Sequence, residues 1–287
     1  RDNADALFDQ PWDLIFFTGN ASAAKKISAT AAKYLTPVLT ELGGKSPCII
    51  DSSAKIPLAA KRLVFAKLLN CGQTCIAPDY ILVERAVHDA FLEVMGRQLA
   101  LQCPDPLHSP GYAHIVNEKH FRRVLGLLDP AKIVFGGESD EAALKLAPTI
   151  LDGVAPEDPV MQEEIFGPVL PVLTVEDMAE AEAFIQARPK PLALYLFTRD
   201  QKLAERFMRS VPCGGGCVND TIAQTLSSRL PFGGVGPSGM GKYHGKYSFQ
   251  TFSHEKAVVN KFLWPELPMR YTPYRPLYEK MIRFIQR

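Results

Sequence analysis

Apolar positions along the chain fall into short runs that alternate with amphipathic stretches. The runs at 14–17, 37–39, 48–50, 80–84, 132–135, 169–173 and 192–197 have strand length and carry β-branched and aromatic residues. Between them, 21–34, 58–69, 86–99, 118–128 and 175–187 read as helices. Strands alternating with helices predict an α/β architecture with mainly parallel pairing. Residues 103–111, with Pro104, Pro106, Pro110 and Gly111, read as a loop, and 212–241 is loop-rich, with glycine clusters suited to closing backbone over a ligand. A strand-like run, Ala257-Val258-Val259-Asn260, follows, and 278–287 is short and amphipathic, as for packing on a surface. The sequence holds no internal repeat and no low-complexity tract.

At 287 residues and 47% apolar content, the chain suits one large or two ordinary globular domains. Its net charge of +1 gives no electrostatic reason to expect nucleic acid or an anionic membrane as partner. No transmembrane segment is expected, because the longest apolar runs, such as 192–197, are strand-sized. Six cysteines without a Cys-x-x-Cys pair are too few for a disulfide scaffold, so a reducing, cytoplasmic setting is expected. Two Cys-x-x-x-Cys pairs, Cys71/Cys75 and Cys213/Cys217, lack complementary histidine spacing, and no metal is expected.

The candidate chemistry centres on Asn70-Cys71-Gly72-Gln73-Thr74-Cys75-Ile76-Ala77-Pro78-Asp79-Tyr80, a loop between a helix and a strand. A cysteine so placed becomes a nucleophile where backbone donors or cations lower its pKa; a lone cysteine is otherwise a buried, inert thiol. Glu41 closes an apolar run just before Leu42-Gly43-Gly44, and alone would be a solvated strand-end charge. Asn70 reads equally as a helix C-cap, which leaves the Cys75 N–H as the stronger oxyanion donor. Thr18-Gly19-Asn20 sits between a strand and a helix, the arrangement that offers N–H groups to a phosphate, though a single glycine is a weak signal. His244, Lys45 and Lys246 read as ordinary hydrogen-bonded or solvated residues.

Four segments, in order, carry a resemblance: Leu42-Gly43-Gly44-Lys45-Ser46-Pro47, the loop from Asn70 to Tyr80, Glu164-Ile165-Phe166-Gly167-Pro168-Val169, and Pro231-Phe232-Gly233-Gly234-Val235-Gly236-Pro237-Ser238-Gly239-Met240-Gly241. Together they resemble the aldehyde dehydrogenase superfamily. Longer agreements, at 17–20, 35–37, 41–48, 160–168 and 243–249, point to its class 3 branch, the fatty and aromatic aldehyde dehydrogenases. The resemblance runs from about Trp12 to about Lys256. It implies the aldehyde dehydrogenase fold, with 1–41 as the end of a Rossmann-type NAD(P)-binding domain, 42–252 as an α/β catalytic domain, and 253–287 as an oligomerisation strand and C-terminal arm. It further implies oxidation of a medium or long aliphatic, or aromatic, aldehyde to its acid with NAD or NADP. Cys75 is then the nucleophile that passes through a thiohemiacetal and a thioester, Glu41 the general base, and Asn70 a helper at the oxyanion. Thr18, Gly19, Asn20, Leu42, Gly43, Glu164 and Phe166 fall to the cofactor, with Glu164 on the ribose beside the nicotinamide and Phe166 packed against the ring. The family often has a second glycine where this chain has Ala24, which puts the fine phosphate geometry in doubt. A homodimer, paired through 257–260, is also implied.

The chain begins at Arg1, and the family carries a long nucleotide-binding portion before that point. The expectation is therefore a C-terminal portion that is not an active dehydrogenase by itself. Two other readings remain open: a truncated, non-catalytic subunit, and a cofactor-independent thiol esterase using Cys75 and Glu41.

Overall fold

In the computed structural model, residues 2–273 and 275–285 are described. Helix α1 (Asp2–Phe8) precedes β1 (Ile15–Thr18), α2 (Ala21–Ala31) and β2 (Val38–Glu41). β1 and β2 pair in parallel with Thr18 opposite Glu41. Ile15, Ile27 and Ala31 make the small core beneath them. Helix α2 starts where it does because Asn20, in extended backbone, accepts the Ala23 N–H at 2.9 Å and satisfies one orphan donor. It ends in a 3-10 turn at Ala32–Tyr34, so the predicted 21–34 is one rod with a tightened last turn.

The chain then runs through β3 (Pro47–Ile50), α3 (Ile56–Leu68), β4 (Tyr80–Glu84), α4 (His88–Gln102), α5 (Glu118–Leu125) and β5 (Ile133–Phe135). A small hairpin, β6 (Ser139–Asp140) with β7 (Lys145–Leu146), leads to β8 (Thr149–Leu151), α6 (Pro159–Gln162), β9 (Val169–Val175) and α7 (Met178–Gln186). β10 (Ala193–Phe197), α8 (Gln201–Ser210) and β11 (Gly215–Val218) complete a seven-stranded sheet of order β11-β10-β3-β4-β9-β8-β5. Every pairing in it is parallel except β5 with β8. Its central strands are buried on both faces. Ile49, Leu82, Leu194 and Leu196 point into one core, and Cys48, Ile50, Ile81, Val83, Tyr195 and Phe197 into the other. That two-sided burial is why these strands read as unbroken apolar runs. β12 (Gly239–Met240) then returns to the small sheet, antiparallel to β2, with Gly239 opposite Glu41, and α9 (Gly245–Thr251) follows.

Several expectations are revised. Helix α7 begins at Met178, not Val175, because Asp177 caps the N–H groups of Ala179 and Glu180 while Val175 belongs to β9. β8, β11 and α8 were not anticipated. In β11, the run Gly-Gly-Cys-Val shows no hydrophobic alternation, and it is a strand because β10 supplies the hydrogen bonds.

The chain divides into a large unit ending at Phe252 and a small one beginning at Ser253. Within the small unit, 257–260 is not a strand, and Val258 and Val259 are 75% and 88% exposed. A strand requires a neighbour for its N–H and C=O groups, and among the described residues of that unit none is supplied. Helix α10 (Pro276–Ile285) lies in the same unit. Among the described residues, no helix is long and apolar enough to cross a membrane.

Candidate active site

Glu41 is the last residue of β2, at the carboxyl end of the small parallel pair. The Gly19 N–H donates to its carbonyl at 3.0 Å, and the Leu42 N–H donates to the Ser238 carbonyl at 3.0 Å, so the segment entering the site is pinned from both sides. Cys75 reaches the site by a different device. After α3, Leu69–Gly72 forms a 3-10 turn in which Asn70, Cys71 and Gly72 have φ of 51°, 57° and 69°. Three left-handed residues in succession swing the chain back over the amino end of β4. A Cβ at Gly72 would lie 2.3 Å from the Gly167 carbonyl oxygen, so only glycine fits there. Gln73 holds the loop, donating to the Asn70 and His114 carbonyls at 3.1 and 3.0 Å and accepting the Val116 N–H at 2.9 Å. The buried Tyr195 hydroxyl donates to the Ile76 carbonyl at 2.6 Å.

The thiol of Cys75 meets the carboxyl of Glu41. Glu41 is 2% exposed, and burial raises its pKa, opposed by the Cys75 thiol and by the Gly43 N–H donating at 3.3 Å. Burial, and then the charge of Glu41, pushes the Cys75 thiol up to about 12. The lowered thiol pKa expected for a nucleophile is thus reversed in this chain alone: the sulfur is buried and faces the carboxylates of Glu41 and Glu164. Its own N–H is the opposing donor, and among the described residues no carbonyl or side-chain oxygen accepts that N–H. Tyr243 borders the pair, its hydroxyl raised to about 12 by burial and then by Glu41 and Cys75.

Glu164 approaches from the loop before β9. A Cβ at Gly43, where φ is +70°, would lie 2.6 Å from the Glu164 Oε1, and the Gly44 N–H donates to the same carboxyl. Burial first, then Asp79 and Glu41, raise the Glu164 carboxyl to about 8. Its loop is held by residues whose roles the sequence did not disclose. Asp79 Oδ1 accepts the Ile165 N–H at 2.8 Å, and its other oxygen pairs with Lys45. Lys45 Nζ also donates to the Val160 and Glu163 carbonyls at 2.8 and 2.9 Å, so it is an internal tie and not the solvated lysine expected. Arg123 donates to the Glu163 carboxylate at 2.9 Å and to the Glu164 and Ile165 carbonyls at 3.3 and 2.6 Å. The one signal available in advance was the position of Lys45 and Asp79 inside the motifs. Phe166, with φ of 48° and 40% exposed, lines an open groove of about 420 Å³ with Asn70, Gln73, Ala113, His114 and Val116.

The structure therefore brings together Cys75, Glu41, Gly43 and Glu164, and ties Thr18-Gly19-Asn20 to them through the Glu41 backbone. Asn70 is placed differently: it is exposed, and its amide donates to the Gln73 carbonyl at 2.9 Å, so its side chain serves the loop after α3 and not the oxyanion. The C-cap of α3 is Leu69, and Asn70, one residue on, takes left-handed backbone with φ of 51°.

Residues 2–258 match the family model described as the aldehyde dehydrogenase family. The chain belongs to the aldehyde dehydrogenase family. It is 48% identical over 270 residues to aldehyde dehydrogenase family 3 member A2 of Rattus norvegicus, covering 93% of this chain and 56% of that protein. It is 45% identical over 261 residues to the rat "Aldehyde dehydrogenase, dimeric NADP-preferring", covering 91% and 58%. Among solved structures, "Substrate bound state of Staphylococcus Aureus AldH" superposes with a TM-score of 0.96 at 44% identity, covering 99% of this chain and 63% of that one. The fold is thus that of an aldehyde dehydrogenase, and the class 3 resemblance holds along nearly the whole chain. The chain spans 56 to 63% of the length of these relatives.

Proposed function

We propose that this chain carries the catalytic groups of an NAD(P)-dependent aldehyde dehydrogenase that oxidises a medium or long aliphatic, or aromatic, aldehyde to its acid. The observation that carries this reading is the half-buried Cys75 thiol set against the buried Glu41 carboxyl, beside a Cys75 N–H that no other residue accepts among those described. Glu41, with its raised pKa, is the nearest base for the Cys75 proton, and transfer between them requires no movement of either segment. The thiolate adds to the aldehyde carbon, and the oxyanion accepts the Cys75 N–H. With the acyl group left as a thioester on Cys75 and the first proton passed from Glu41 to solvent, the restored carboxylate takes a proton from the water that hydrolyses the thioester.

The residues present fit a nicotinamide dinucleotide. Gly43 leaves room for the Glu164 carboxyl, which would accept ribose hydroxyls, and the half-exposed Phe166 ring offers a face for the nicotinamide. Thr18-Gly19-Asn20 and Leu42 would meet the phosphates and the adjoining backbone. The group's contribution when bound is to accept the hydride that leaves the substrate carbon. The domain division at 41/42 and 252/253, a homodimer and a cytoplasmic setting belong to the same reading.

The test is turnover by the intact protein of an aldehyde series with NAD and with NADP. Cys75→Ser should abolish oxidation, and Glu41→Gln should slow thioester hydrolysis more than its formation. Ester hydrolysis through Cys75 with no aldehyde oxidation under either cofactor would replace the dehydrogenase reading with the thiol-esterase one.

A further inference from the structure

Lys67 is 1% exposed, one of the largest fully buried side chains in the molecule, and no step above uses it. It stands in the last turn of α3, where the helix's carbonyl end favours a cation. From there its stem runs beneath the nucleophile loop. Its Cδ lies 3.3 Å from the Cβ position at Gly72, where the loop begins, and its Nζ donates to the Pro78 carbonyl at 2.9 Å, where the loop ends. Cys75 lies between these two points along the chain.

The ionisable groups around Lys67 are Asp79 and Glu164, which attract it, Lys45, which repels it, and the Cys71 thiol. Burial draws the Lys67 ammonium down to about 8. Methionine would fill nearly the same volume but would supply neither the donor that the Pro78 carbonyl accepts nor the cation that Asp79 and Glu164 face.

We propose that Lys67 is a positioning residue of the nucleophile loop: its stem packs under Gly72, its buried ammonium holds the Pro78 carbonyl, and its charge offsets Asp79 and the Glu164 carboxylate that the Cys75 sulfur faces. The inference rests on Cys75 being the reactive thiol. Removing the cation leaves those carboxylates uncompensated and disfavours the Cys75 thiolate; removing the donor frees the Pro78 carbonyl. Arginine keeps both functions, and methionine keeps only the stem.

The experiment compares the wild-type protein with Lys67→Met and Lys67→Arg. Iodoacetamide alkylation of Cys75 is followed by peptide mass spectrometry from pH 6 to pH 10, with thermal melting in parallel and kcat and KM measured on the intact protein. Lys67→Met should fold but melt below the wild type, because the Pro78 carbonyl loses its donor and the facing carboxylates their cation, and its Cys75 alkylation midpoint should rise by about half a pH unit or more. Its kcat should fall about tenfold, with KM for aldehyde changed by less than about threefold, and Lys67→Arg should recover most of both losses. A Lys67→Met protein with wild-type kcat and alkylation profile overturns the proposal. So do equal losses in the two variants, which make side-chain volume the cause, and failure of both to fold, which assigns Lys67 to the fold alone. Alkylation and melting require no dehydrogenase turnover, so they decide the role of Lys67 even if the proposed activity fails.

Discussion

Cys71 and Cys75 are one helical turn apart in sequence and occupy opposite surroundings. Cys71 is fully buried, donates to the Tyr112 hydroxyl at 3.3 Å, and is held up at about 11 by burial, while Cys75 is half-buried against Glu41. Cys71→Ala should therefore cost roughly 1–2 kcal/mol in a denaturant melt and leave most activity, whereas Cys75→Ala should abolish aldehyde oxidation with little change in stability. Glu164 carries a pH prediction of definite sign. Its carboxyl is raised from an ordinary 4.5 to about 8, so over that interval the folded chain keeps a proton that the unfolded chain releases. Stability should fall as pH rises from about 4.5 to about 8, and Glu164→Gln should flatten that part of a denaturant-midpoint profile. Cys75, Glu41 and Glu164 stand out in the sequence because each lies in a long motif. The direction of the Cys75 shift was not, because it depends on which charges face the sulfur across 34 residues of chain. Lys45 and Lys67 were illegible for the same reason: nothing in a linear pattern distinguishes a buried lysine tied to carbonyls from a solvated one.

The nucleophile loop is held by contacts made between segments distant in sequence. Gly72 abuts the Gly167 carbonyl, and Asp79 joins the loop's exit to Ile165 and Lys45. Gly72→Ala should push the two loops apart, lowering kcat by about a hundredfold and stability by roughly 2–3 kcal/mol, as measured by steady-state kinetics and a urea melt. Asp79→Ala would leave the mostly buried Lys45 without its carboxylate and should cost roughly 3–5 kcal/mol in the same melt. Elements such as β3, β4 and β10 were readable from periodicity because two cores enclose them. β11 was not, since a strand of mostly small residues exists only through its neighbour. Residues 257–260 follow the same rule: β-branched residues make a strand only where a partner edge is present, and in the single chain none lies beside them among the described residues of that unit.

At the scale of the whole molecule, the site lies where the carboxyl end of the small sheet, bearing Glu41, faces the loop that precedes the amino end of β4 in the large one, bearing Cys75. That meeting could be anticipated only through the family resemblance, since spacing along a chain does not convert to distance. The small unit exposes Val258, Val259, Phe262, Leu263 and Trp264, an apolar stretch that suits the proposed homodimer. Val258→Lys with Val259→Asp should shift sedimentation toward the monomer. The catalytic claim itself is tested most directly by trapping the acyl-enzyme. The intact Glu41→Gln protein is mixed with an aldehyde and NAD or NADP, quenched in acid after one turnover, and its peptides are weighed. The expected result is an acyl adduct on Cys75 that accumulates in Glu41→Gln and decays in the wild type. Continued aldehyde oxidation with no adduct on Cys75, or with the adduct on another cysteine, would contradict it.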